Sequence, residues 1–239
     1  MEVNAGKSRA QPLAWLVHFY TASGAVLAFA AALAAIDGRF RDAFLYLIAS
    51  TAVDASDGMF ARRVGLPAAT PRFDGARLDD IVDYLTFVFV PMLILYLAGD
   101  LGGSWGFVVV AAVLLSSGYG FASLDAKTSD YFFTGFPSYW NIVALYLHAA
   151  RTPPVFNAFL LLALVVMVFV RIGYVYPSRT PVLQRTTNLL GVIWAVMMLA
   201  IVWLLPNAPQ ALVAGSLFFP VYYAALSFWL HARRRASAA

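Results

Sequence analysis

The chain has 239 residues, 62% of them hydrophobic and only 12% charged, with a mean hydropathy of +0.77. A soluble domain carries about 25% charged residues, so this composition excludes an ordinary water-soluble globule and points to a membrane protein. The absence of cysteine excludes disulfides and thiolate metal sites, and the net charge of +4 reads as a basic face against anionic lipid, not a nucleic-acid footprint.

A spanning helix takes about 20 predominantly apolar residues to cross roughly 30 Å of hydrocarbon. The polar start "MEVNAGKSRAQP" leads into a first apolar run at about 14–36. That run is too long for the apolar core of a signal peptide, so it reads as the first span. The second run, about 42–60, closes on "DASDGMFARR". After a polar stretch come runs at about 80–99, 104–124, 138–150, 154–173, 188–205 and 210–231, with breakers such as "GDLGGS" and "RTPP" between them. Nothing is left over for a separate soluble domain. Residues 1–239 are therefore expected to form one domain, an all-α polytopic bundle of about eight transmembrane helices. Lys and Arg in the short loops give its direction. With the N-terminus inside, 13 of the 16 cationic residues fall on the cytoplasmic side, leaving Arg39, Arg41 and Arg151 opposite. Both termini are then cytoplasmic.

Half of the twelve acidic residues, Asp54, Asp57, Asp74, Asp79, Asp80 and Asp83, crowd around the loop between the second and third runs. Residues three or four apart share a helix face, so Asp54 and Asp57 form one carboxylate pair and Asp79 and Asp83 another. Four facing carboxylates at a membrane edge cannot all stay ionised without compensation. Hard divalent ions, Mg²⁺ or Mn²⁺, suit oxygen ligands, and four carboxylates can hold two of them. Such a pair binds a diphosphate. Gly58 and Ala61 leave a shallow face for a flat group, Gly75 does the same ahead of Asp79, and Arg62 offers a cation to a phosphate oxygen. The plainer reading, solvated charges at helix ends, accounts for Asp74 and Asp80 but poorly for Asp54, which follows a long apolar run.

Written out, Asp54-x₂-Asp57-Gly58-x₂-Ala61-Arg62-x₁₂-Gly75-x₃-Asp79-x₃-Asp83 resembles the signature of the CDP-alcohol phosphotransferases. The long gap before Gly75 looks like the bacterial phosphatidylcholine synthase branch, as do "HFYTASG", "DYFFTGFPSYWN" and "YPSRT". The resemblance implies an enzyme of the bacterial inner membrane, its site facing the cytoplasm, that transfers the phosphatidyl group of CDP-diacylglycerol to choline and releases CMP. It implies that Asp54, Asp57, Asp79 and Asp83 hold two metal ions and that Asp83 also accepts the choline proton. It further implies that Gly58, Ala61, Arg62 and Gly75 receive the nucleotide and that the protein is a homodimer. His18 and Thr21 fall where the family carries Asn-x-x-Thr near the nucleotide, with His in place of Asn.

A quaternary ammonium is bound by aromatic faces. The stretch "SLDAKTSDYFFTGFPSYW" offers Tyr131, Phe133, Tyr139 and Trp140, although Tyr and Trp also gather at membrane interfaces for reasons unrelated to binding. Serine, glycerol phosphate and inositol are the alternative acceptors. A cation transporter is the alternative class, but transport sites lie near the bilayer midplane and these acids cluster at its edge.

Overall fold

The computed structural model describes residues 2–66, 70–125, 132–176, 180 and 182–238, with side chains from residue 11 to residue 236 among them. Helix α1 (Glu2–Ile36) leads into α2 (Phe40–Val64), which stops where Gly65 takes φ 67° and returns its N–H to Ala61 O. A side chain would be strained there, so the glycine ends the helix and turns the chain. Asp74 caps α3 (Gly75–Asp83) by accepting the Arg77 N–H at 3.1 Å. A π-helical stretch, Tyr84–Phe89, then joins α3 to α4 (Val90–Leu97). Next come α5 (Gly106–Ala122), β1 (Phe132–Thr134), α6 (Trp140–Ala150) and α7 (Pro154–Phe169). The chain closes with β2 (Gly173–Val175), α8 (Gln184–Trp203), α9 (Gln210–Ser216) and α10 (Phe218–Ala238).

This is a helical membrane protein. Four stretches are long and apolar enough to cross a bilayer: Gln11–Ile36, Gly75–Leu97, Gln184–Trp203 and Gln210–Ala236. Gly106–Ala122 and Pro154–Phe169 are shorter apolar helices. The outward faces are apolar as well. Phe29, Leu115, Phe159 and Val196 are between 64% and 77% exposed, a surface that suits lipid and not water. All eight apolar runs of the sequence fall on helices, but they are not eight uniform spans. α2 carries acids and arginines along its second half, and α6, with 11 residues, reaches only about 16 Å.

The one departure from an all-helical chain among the described residues is a two-stranded antiparallel pair, with Phe132 opposite Val175 and Thr134 opposite Gly173. The α5–α6 and α7–α8 connections meet at one end of the bundle and satisfy each other's backbone groups there. At the end away from the acids, His148 Nδ1–H donates to Asp100 Oδ2 at 2.7 Å and Asn157 Nδ2–H to Asp100 O at 2.7 Å. Gln210 Nε2–H donates to Ala149 O at 3.0 Å, tying α9 to α6.

Between the ends, Phe44, Met92, Ile94, Leu95, Trp140 and Leu161 are fully buried. Ala28, Ala31, Ala34 and Ala35 of α1 and Ala43 of α2 belong to the same core, and such small residues let helix backbones approach. Polar atoms inside the bundle have partners: Trp140 Nε1–H donates to Ser117 Oγ at 2.7 Å and Trp194 Nε1–H to Tyr146 Oη at 2.9 Å. No buried side-chain nitrogen or oxygen among the described residues lacks one.

Candidate active site

The acids stand where α1, α2 and α3 meet. Asp54 and Asp57 lie one turn apart on α2, and Asp79 and Asp83 one turn apart on α3. Gly24 makes the junction tight, because a Cβ there would come within 2.6 Å of Val82 Cγ1 on α3. Carboxylate oxygens of Asp54, Asp57 and Asp79 lie within 4.8 Å of one another. Asp57 is buried and accepts the Thr21 hydroxyl at 2.7 Å, which fixes its rotamer from α1. Asp83 joins the other three in lining a small cavity of about 10 Å³, with Thr21, Ser50 and Thr86 among its polar walls. No Lys or Arg lines that cavity. Oxygen-only donors at this spacing, half sheltered from water and without a cationic side chain in the wall, fit a hard divalent cation.

Next to the acids opens a groove of about 850 Å³, large enough for a nucleotide. Gly58, Ala61 and Arg62 line it from α2, Gly75 and Ala76 from α3, His18 and Thr21 from α1. Asp57 and Asp79 line both spaces, so the groove ends on the acids. Met59 and Phe60, on other faces of α2, are 39% and 37% exposed and line neither space. His18 is buried between Trp15 and Phe73, with ring centroids 5.6 Å and 4.4 Å away. Its Nε2 is 2.9 Å from Thr70 Oγ1. The Thr70 hydroxyl already donates to Leu66 O at 3.1 Å, so His18 donates from Nε2 and keeps an acceptor at Nδ1. Asp74 is the α3 cap and pairs with Arg77 at 3.0 Å, and Asp80 lines neither space.

An aromatic group gathers around Tyr139. The Tyr139 phenol lies within electrostatic reach of the Asp54 and Asp83 carboxylates. The Phe133 ring is 4.7 Å from Tyr176 and 6.5 Å from Tyr139, and Tyr139 is 6.1 Å from Tyr223. All four residues are half-buried. Trp140 is not among them: it is fully buried, packs on Phe136 and spends its N–H on Ser117. Tyr131 lies outside the described residues. Sequence reasoning missed Tyr176 and Tyr223. Tyr176 opens the quoted "YPSRT" but was given no role there; Tyr223 sits in an apolar helix with no local signal at all.

No family model matches the chain. It is 33% identical over 217 residues to the phosphatidylcholine synthase of Rhizobium meliloti, covering 91% of this chain and 90% of that protein. It is 38% identical over 184 residues to that of Legionella bozemanae, covering 74% and 85%. With the phosphatidylcholine synthase of Pseudomonas aeruginosa the identity is 30% over 220 residues, 92% of each chain.

Proposed function

The chain belongs to the phosphatidylcholine synthase family, and on that premise we propose that its acid-lined site transfers the phosphatidyl group of CDP-diacylglycerol to choline and releases CMP. It is a membrane transferase of phospholipid synthesis. The observation that carries the chemical reading is the junction of the two spaces: Asp57 and Asp79 line both the groove and the acid cavity. A nucleotide lying in the groove would present its diphosphate to the carboxylates.

Asp54, Asp57, Asp79 and Asp83 would hold two Mn²⁺ or Mg²⁺ ions, which when bound draw charge from the diphosphate oxygens. Gly58 and Ala61 give the cytidine a flat wall, and Gly75 lets the opposite wall come close. Arg62 meets a phosphate oxygen, as a planar guanidinium does well. His18 offers Nδ1 as an acceptor beside Gly75, and Thr21 keeps Asp57 turned inward. The choline oxygen attacks the phosphatidyl phosphorus while Asp83 accepts its proton. The bond from that phosphorus to the bridging oxygen breaks, and CMP leaves with the electron pair. Phe133 and Tyr139 face the trimethylammonium group, held by its attraction to ring faces and to the nearby carboxylates.

We further propose that all eight helical runs cross the bacterial inner membrane as one domain, residues 1–239, with both termini and the acid end cytoplasmic. The 13 to 3 division of cationic residues supports this direction. A homodimer is the assembly the family resemblance favours, and its mass in detergent tests it. For the reaction, purified protein is given labelled CDP-diacylglycerol with choline, serine, inositol or glycerol phosphate. Choline is expected to drive CMP release; a clear preference for another alcohol would replace the acceptor and leave the phosphoryl chemistry standing.

A further inference from the structure

Helix α10 contributes nothing to the acid centre or the groove, yet it holds the strand pair on which the acceptor rings are mounted. Ser227 Oγ accepts the Val175 N–H at 3.1 Å, and His231 Nδ1 accepts the Gly173 N–H at 3.1 Å. Tyr223 Oη–H donates to Val175 O at 2.9 Å. The Arg234 guanidinium lies 4.2 Å from the centre of the Phe132 ring. Below these contacts, Phe132, Val175, Leu226 and Leu230 form a small apolar core of their own.

The pattern has a simple cause. Tyr174 faces Phe133 across the ladder, so the flanking residues Gly173 and Val175 turn their backbone groups the other way. That edge would take a third strand, and side chains of α10 supply its donors and acceptors instead. The hold reaches the rings directly. The Tyr223 ring packs edge-on against the Tyr139 ring, with centroids 6.1 Å apart. The single Tyr223 proton goes to Val175 O, which fixes that ring against β2. Phe133 belongs to β1, and Tyr176 follows β2 immediately.

We propose that Tyr223, Ser227 and His231 are positioning residues of the acceptor subsite: through β2 and Tyr139 they set the spacing of the rings around a quaternary ammonium, and with it the preference for choline over less methylated amino alcohols. The proposal rests on the phosphatidyl-transfer reading above. A trimethylammonium gains from several ring faces at once, whereas a primary ammonium gains more from hydrogen-bond acceptors, so ring spacing discriminates between them.

The test compares wild type with Ser227→Ala, His231→Ala and Tyr223→Phe in detergent or vesicles. Choline and ethanolamine are varied separately at fixed CDP-diacylglycerol, and then the donor at fixed choline. The choline KM is expected to rise about three- to tenfold, the reach of one misplaced hydrogen bond, with the donor KM within about twofold. The preference for choline over ethanolamine should shrink in step. Ser227→Thr, which keeps the hydroxyl, should restore wild-type values. A merely structural role would lower the yield of folded protein and leave both KM values and the preference unchanged. If an alanine variant fails to fold, Tyr223→Phe, which keeps the ring, decides. A choline-active wild type with unmoved choline KM in the folded variants overturns the positioning role alone. A wild type that ignores choline overturns the functional reading on which it rests.

Discussion

A Cβ at Gly75 would sit 2.9 Å from His18 Cε1, so Gly75→Ala must push the imidazole off its bond to Thr70 and unsettle the groove wall. The expected result is a donor KM raised about tenfold, roughly 1.4 kcal/mol, with the choline KM little changed in the same steady-state assay. For the acids, Asn at Asp54, Asp57 or Asp79 is expected to lower kcat by about 100-fold or more, in line with the loss of a group that stabilises developing charge. Asp80→Asn should stay near wild type, because Asp80 lines neither cavity. Asp74→Asn should as well, since Asn caps a helix as Asp does. Chelation should stop CMP release and Mn²⁺ or Mg²⁺ restore it; full turnover in excess chelator would sink the metal assignment. Much of this was legible in the chain, because helical spacing alone brings Asp54 to Asp57 and Asp79 to Asp83. Whether a given neighbour faced the site was not. Tyr139 and Trp140 are adjacent and both aromatic, and only the packing around Ser117 separates a core indole from a half-buried tyrosine.

At the scale of elements, the third run reads as an unbroken apolar helix, and its π-helical turn leaves no mark in hydrophobic periodicity because "YLTFVFVPMLILYL" is apolar on every side. The physical cause lies in Pro91. Its ring would strike the carbonyl four residues earlier in a regular helix, and it has no N–H to return, so the turns before it widen. The widened turn also resets the angle between the two halves of the helix. α3 can point its acids inward while Val90, Met92 and Ile94 of α4 meet the core. Deleting Leu85 should close the stretch toward α-helix and rotate the acids by about 100° relative to α4. The variant is expected to remain helical by circular dichroism and to lose about 100-fold in CMP release. Retained activity would mean that the turn does not set the register. The strand pair was equally hidden: three residues are too few to show alternation, and the partners lie in different loops.

Across the whole molecule the two ends do different work. At the end away from the acids, Asp100 and His148 are 18% and 16% exposed, and the imidazole also meets the Phe40 ring at 5.3 Å. His148→Ala removes a partly buried hydrogen bond there and should cost about 1–3 kcal/mol of stability. It is expected to lower the unfolding temperature in detergent and leave the KM values for donor and acceptor unchanged. At the acid end, where the groove of about 850 Å³ opens beside the carboxylates, the proposed reaction brings its two substrates from spaces of different dimension. Choline arrives through a volume and is counted in moles per litre. The donor arrives by lateral diffusion in a sheet, where only its share of the surrounding lipid matters. Adding inert detergent at constant total CDP-diacylglycerol should therefore slow the reaction, although no bulk concentration has changed. Diluting the assay with buffer that holds choline and the micelle composition constant should leave turnover per enzyme unaltered.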